Sequence, residues 1–272
     1  MMMMLMMLLM TTVFLDEQVG RVLAALHETR LDERAAVLLM SDHGVHLGEH
    51  GFFEKANLHE RVARVPLIVA PPTAPPLCGA AASWARAAGR VVASPVELVD
   101  VVATVSALAG VRPPNSSLGR DLSALLEDDD SRASSSSSSF TTSAPRDYAL
   151  AFTATGTLLR SERFAYMRYH RARSAGDGVG APRQEELYEM ARDPDQLENL
   201  AAAGGAPARS DGRLLLAEAR GQLCHALLRL QREQPIGTLE AVLEELIEDG
   251  GVGTCPKLLP ILDSGPRRAI YS

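Results

Sequence analysis

The first 110 residues predict an α/β fold, and three observations carry that reading. Residues 35–40, AAVLLM, form a continuous apolar run that stops at Ser41-Asp42-His43-Gly44. Such a run reads as a short strand buried on both faces, as in a parallel sheet covered by helices. A second run, Val65-Pro66-Leu67-Ile68-Val69-Ala70, reads as the next strand, with Pro66 near its start, where a missing donor is tolerated. Helical patterns bracket both runs, and this alternation defines the α/β layer class.

The helix before the first strand spans residues 16–30, with Val19, Val22, Leu23 and Leu26 on one stripe. Asp16 and Glu17 sit in its first turn and Arg30 in its last, the arrangement the helix dipole favours. Ser94-Pro95-Val96-Glu97 reads as a capping box opening a helix through Leu98, Val101, Val102, Val105 and Leu108. Gly110 is placed to stop it. Two strands make only a marginal sheet, so most of the sheet these elements imply is not contained in this stretch.

Five segments follow from composition. Residues 1–12 are a low-complexity start, 13–126 carry the α/β part, and 127–145 form a Ser/Asp-rich linker or loop. Residues 146–210 read as a small α+β subdomain with short antiparallel strands, a Gly-rich loop at 176–180 and a further strand at Leu187–Met190. Residues 211–272 form a helical tail with helices at 213–232 and 238–248; Leu239, Val242, Leu243, Leu246 and Ile247 share a stripe before Gly250.

Composition excludes several classes of function. The chain has 272 residues, a formal net charge of −7 and only 4% aromatic residues. That balance offers neither the clustered cations nor the stacking platforms a nucleic acid needs. The ten apolar residues at the start are too few to cross a bilayer, so no stable membrane insertion is expected. They also lack the basic region and cleavage site of a secretory leader, which leaves the compartment open. Three cysteines, Cys78, Cys224 and Cys255, are too few for a disulfide framework or a cysteine zinc site; loop, helix-face and tail positions account for them.

The residues with chemistry lie between 38 and 70. Asp42 and His43 stand just beyond the carboxyl end of a strand, where open α/β sheets bind ligands. Asp42 is a hard oxygen donor suited to Ca²⁺ or Mg²⁺, and His43 could complete a divalent site. Lys55 supplies a mobile cation able to meet a sulfate or phosphate oxygen. Each residue also has an ordinary role, Asp42 as a turn residue and Lys55 as a solvated charge. His43, His46, His50 and His59 show no spacing of a structural zinc motif.

Taken together, Ser41-Asp42-His43-Gly44, Leu47-Gly48-Glu49-His50-Gly51, Lys55 and Arg64-Val65-Pro66-Leu67-Ile68 resemble the sulfatase family of the alkaline-phosphatase-like superfamily, closest to its iduronate-2-sulfatase and choline-sulfatase-like branches. Asp16–Gly20 resembles the family's preceding helix, and Asp100–Thr104 with Gly110 its "D-x-x-P-T…G" helix, with Ala103 in place of proline. Leu187-Tyr188, Asp193-Pro194, Glu198, Asn199 and Leu200 resemble its C-terminal signature. The resemblance covers roughly residues 13–201. It implies a partial alkaline-phosphatase-like sandwich with a small C-terminal antiparallel sheet and helices.

The resemblance also implies a function: metal-dependent hydrolysis of sulfate monoesters on a sulfated small molecule or glycan. Asp42 and His43 would contact one divalent cation, usually Ca²⁺, and Lys55 would contact the sulfate. His46 replaces an apolar or acidic residue of the family; it is a second candidate substrate contact, against a surface position beside the loop. The family's formylglycine arises from a cysteine in a C-x-P-S-R motif, and none of the three cysteines here stands in one. Two alternatives follow: a non-catalytic sulfatase-like protein binding anions or a partner, and a phosphate or phosphonate ester hydrolase. A truncated sheet would also expose an edge through which copies could associate.

Overall fold

The computed structural model describes residues 2–53, 55, 57–72, 74, 89–114, 117–125, 146–169, 184–201 and 211–233. They fall into two compact units, Met1–Tyr148 and Ala149–Ser272. The linker expected at 127–145, the Gly-rich loop at 176–180, the helix at 238–248, Cys78 and Cys255 lie outside the described residues.

In the first unit a helix, α1 (Met2–Glu28), runs continuously from the methionine-rich start through the stripe expected from residue 16. Strand β1 (Val37–Met40) follows, then a one-turn helix, α2 (Glu60–Ala63), and strand β2 (Leu67–Ala70). The two strands pair antiparallel, with Val37 opposite Ala70 and Met40 opposite Leu67. This corrects the parallel arrangement expected from the apolar runs. Neither strand is buried on both faces: Leu39, Met40 and Ile68 remain exposed. The antiparallel pairing has a useful consequence. The end of β1 and the start of β2 lie side by side, so residues 41–66 leave and return at one end of the ribbon.

Helix α3 (Asp100–Leu108) begins later than the sequence suggests, and Ser94-Pro95-Val96-Glu97 lies outside it. The competing interaction is visible. Asp100, completely buried, accepts hydrogen bonds from Glu97 N at 2.9 Å and Arg120 N at 2.8 Å, and pairs with Arg146 Nη2 at 2.5 Å. Thr104 Oγ1, one turn on, accepts from Leu122 N. The buried face is therefore Asp100, Ala103, Thr104 and Ser106, while Val102 and Val105 of the expected apolar stripe are exposed. A carboxylate with a cationic partner and two amide donors can be buried, and it sets which face turns inward. Gly110 ends the helix as expected: its φ is 68°, and Val111 N donates back to Ser106 O.

The second unit holds a four-stranded sheet in the order β3 (Tyr148–Thr153), β4 (Gly156–Ser161), β5 (Phe164–Tyr169), β6 (Glu185–Glu189). The β4–β5 and β5–β6 pairs are antiparallel, as the sequence suggests. Leu158, Leu159, Phe164, Met167 and Leu187 are buried in this unit, as are Leu215, Ala219, Leu223 and Leu227 of helix α4 (Gly212–Glu233). Cys224 lies buried on α4 and is disulfide-bonded, which adds a cross-link to the helix-face position expected for it.

The signature after β6 works as a lock on the sheet. Asn199 Oδ1 accepts from Leu187 N at 3.0 Å, and Asn199 Nδ2 donates to Glu185 O at 3.1 Å. Asp193 receives the amides of Leu197 and Glu198, each at 2.9 Å. Asn199 thus pairs backbone groups that strand β6 leaves open, and Asp193 those of the turn that follows.

Candidate functional site

The segment between β1 and β2 folds so that its polar groups satisfy one another. Ser41 Oγ donates to His43 O at 2.8 Å, and Asp42 Oδ1 accepts from His43 N at 2.9 Å. Both bonds turn the chain sharply at the strand end. Gly44 then passes directly over α2, its amide donating to Val62 O at 2.8 Å. A Cβ at this position would stand 2.0 Å from Arg61 O, so only glycine allows the approach.

The turn fixes the imidazole of His43. Its Nδ1 lies 3.0 Å from Gly44 O and its Nε2 lies 2.9 Å from Lys55 Nζ. An ammonium can only donate and a carbonyl can only accept, so the ring carries its proton on Nδ1 and offers a lone pair at Nε2. Asp42 Oδ2 lies 3.5 Å from the same Nε2. The carboxyl of Asp42 is held below the usual carboxylate range, first by the His43 amide and further by the Lys55 ammonium. Three residues singled out from the sequence, Asp42, His43 and Lys55, thus meet at one exposed spot.

His46 does not join them. It is completely buried, which corrects both readings of it, as a substrate contact and as a surface residue. Its Nε2 donates to Asn57 Oδ1 at 3.1 Å, and its ring packs against His50, Phe52 and His59 at centroid distances of 5.6–5.8 Å. Among the described residues no group of three or more His, Cys, Asp or Glu side chains is placed to hold a metal ion. The rings of His46, His50 and His59 form a packed cluster. Glu49 borders it, its carboxyl kept low first by the Leu47 amide at 2.6 Å.

One signal for this site lies in the sequence beyond its motifs. The chain has 27 Lys and Arg, of which only Lys55 and Lys257 are lysines, so the ammonium at 55 stands against a strong preference for arginine. Asn57, which ties His46 to the segment after Lys55, carries no motif and shows itself only in the fold.

The antiparallel ribbon thus carries a strand-end carboxylate and a lysine-capped imidazole side by side at one end. The comparisons supply the family. Residues 9–111 match the Sulfatase family model, and the chain belongs to the sulfatase family over that part of its length. It is 31% identical over 188 residues to arylsulfatase K of Danio rerio, which covers 69% of this chain and 32% of the relative. It is 39% identical over 115 residues to iduronate 2-sulfatase of Mus musculus, covering 37% of this chain and 21% of the relative. A protein solved in complex with its substrate D-glucosamine-2-N,6-O-disulfate superposes with a TM-score of 0.51 at 24% identity, covering 80% of this chain and 38% of the other. That last likeness concerns the fold. The chain spans about a third of the length of the arylsulfatase K relatives it matches. Among the described residues no helix is long and apolar enough to cross a membrane.

Proposed function

We propose that residues 13–126 supply the cation- and sulfate-binding part of a sulfuric ester hydrolase site, iduronate-2-sulfatase-like, with a sulfated small molecule or glycan as substrate. The observation that carries this is the contact between Lys55 Nζ and His43 Nε2 beside the Asp42 carboxylate. The donor set suits a divalent cation: a carboxylate oxygen, and an imidazole whose second nitrogen is committed to a backbone carbonyl, the usual orientation for a ligating histidine. We assign Asp42 and His43 to Ca²⁺, which when bound supplies positive charge against the charge that builds in sulfate ester cleavage. Lys55, on its mobile stem, is placed to meet an ester or sulfate oxygen beside it.

Calorimetric titration of the 272-residue chain tests the reading. Two ligand residues against the 6–8 oxygens of a full calcium shell give a dissociation constant on the order of 10⁻⁴–10⁻³ M. Asp42→Ala should abolish that binding, and Lys55→Ala should abolish binding of 4-nitrophenyl sulfate. A calcium site indifferent to Asp42→Ala would refute the assignment.

A second reading, a sulfatase-like chain that binds anions without turnover, has one observation in its favour. No cysteine stands in a C-x-P-S-R motif, and Cys224 is buried and disulfide-bonded. Under it, purified chain shows no aryl sulfate turnover even with calcium and a formylglycine-generating enzyme present.

A further inference from the structure

Lys55 reaches His43 from a loop, and a four-carbon stem on a loop is held only as well as the chain around it. That chain is fixed on both sides. Before Lys55, Gly48 N donates to Phe52 O at 2.9 Å and Phe52 N to Glu49 O at 3.0 Å. After it, Asn57 Oδ1 accepts two donors, His59 N at 3.2 Å and His46 Nε2 at 3.1 Å. The second bond differs in kind, because it ties the segment after Lys55 to the loop that carries His43. His46 is suited to this. Its ring is completely buried, wedged between the rings of His50, Phe52 and His59, and its Nδ1 makes no hydrogen bond. The ring has one orientation, and its N–H points at Asn57.

We infer that His46 is a positioning residue for Lys55, acting through Asn57; the inference rests on Lys55 being the sulfate contact of the proposed site. An apolar side chain at 46 would fill the space but leave Asn57 Oδ1 with one donor. The segment after Lys55 would then lose its hydrogen bond to the loop that carries His43. Lys55 would sample water rather than the His43 lone pair, and an arriving anion would have to order it again.

The scarcity of lysine makes the test direct. Lys55 and Lys257 are the only lysines, so the chain labelled with ¹³C,¹⁵N-lysine shows two side-chain signals, which Lys55→Ala assigns. In the wild type the Lys55 signal should stand apart from that of a free lysine and move as inorganic sulfate is added. His46→Leu, and Asn57→Ala from the other side of the bond, should return it to the free-lysine position. Either should weaken apparent sulfate affinity about five- to tenfold, what one neutral hydrogen bond is worth. His46→Gln, whose amide N–H can reach Asn57, should restore both, which a purely space-filling role for His46 would not require. A Lys55 signal unchanged in both His46→Leu and Asn57→Ala overturns the inference. A wild-type signal that stands apart yet ignores sulfate overturns the sulfate-site reading instead, while its response to His46→Leu still decides the positioning role.

Discussion

Lys55 Nζ and His43 Nε2 stand 2.9 Å apart, joining residues twelve positions apart in the chain. The lysine donates into the lone pair that a divalent cation bound to His43 would take. On the proposed assignment the two cations would compete for one nitrogen, and removing Lys55 should act in opposite directions on the two ligands. Lys55→Ala is expected to tighten Ca²⁺ binding several-fold while it abolishes binding of an aryl sulfate. Calorimetry with each ligand separates the effects; a variant that weakens both would place Lys55 in the fold rather than in the site.

Gly44→Ala tests how the site is built. The added Cβ meets backbone, Arg61 O at 2.0 Å and Val62 Cα at 3.3 Å, so no side chain can rotate away to admit it. The loop must lift off α2 and give up the bond from Gly44 N to Val62 O. The expected cost is about 1–3 kcal/mol, as for other overpacked sites. It should appear as a lower urea midpoint and as fast hydrogen exchange at residue 44.

Much of this was legible in the sequence, and the reasons differ by residue. Asp42, His43 and Lys55 were singled out by residue type and motif spacing, and the fold brings all three together. The small antiparallel sheet was legible as short strands joined by turns, and α4 because the spacing of its apolar residues matches its burial. Strand direction was not: AAVLLM is compatible with either pairing, since an apolar run shows that a strand can be buried and not how it is paired. Helix α3 went further astray. Its apolar stripe is regular, but the buried pair of Asp100 and Arg146 joins residues far apart in sequence and turned the opposite face inward. His46 was singled out as a substrate contact, but its burial was missed for a similar reason, since its partner Asn57 carries no pattern at all.

Asp100 and Arg146 give the third expectation. The carboxylate is completely buried and the guanidinium holds both of its oxygens, at 2.5 and 3.4 Å, with Glu97 Oε2 3.2 Å away. Removing the cation leaves a buried charge whose remaining donors are two backbone amides. Arg146→Met should cost about 3–5 kcal/mol, the usual loss on breaking such a pair. Adding Asp100→Asn to it should recover part of the loss, because the amide oxygen can still accept from Arg120 N. Urea denaturation of the single and double variants measures the coupling; additive losses would mean that the pair does not act as one.

Glu185 gives the last, on the acid side. Burial alone would raise its carboxyl, but hydrogen bonds from Arg220 and Tyr166 outweigh burial, and the nearby charges of Arg220 and Arg168 add to them. Its pKa therefore lies below the ordinary value of 4.5. A group lowered by folding binds its proton more readily in the unfolded chain, so its contribution is complete above pH about 4.5 and is lost as pH falls through the native value. The second unit should accordingly lose stability as pH falls below about 4.5, with Glu185 one of the groups responsible. Glu185→Gln leaves Arg168, buried and 3.3 Å from the carboxylate, with a neutral partner, and should cost about 3–5 kcal/mol at pH 7. It should also flatten the decline in acid, because the group that takes up the proton is gone. Urea midpoints at pH 7, 5, 4 and 3 measure both effects. If variant and wild type declined in parallel below pH 4.5, Glu185 would not be one of the groups that titrate there.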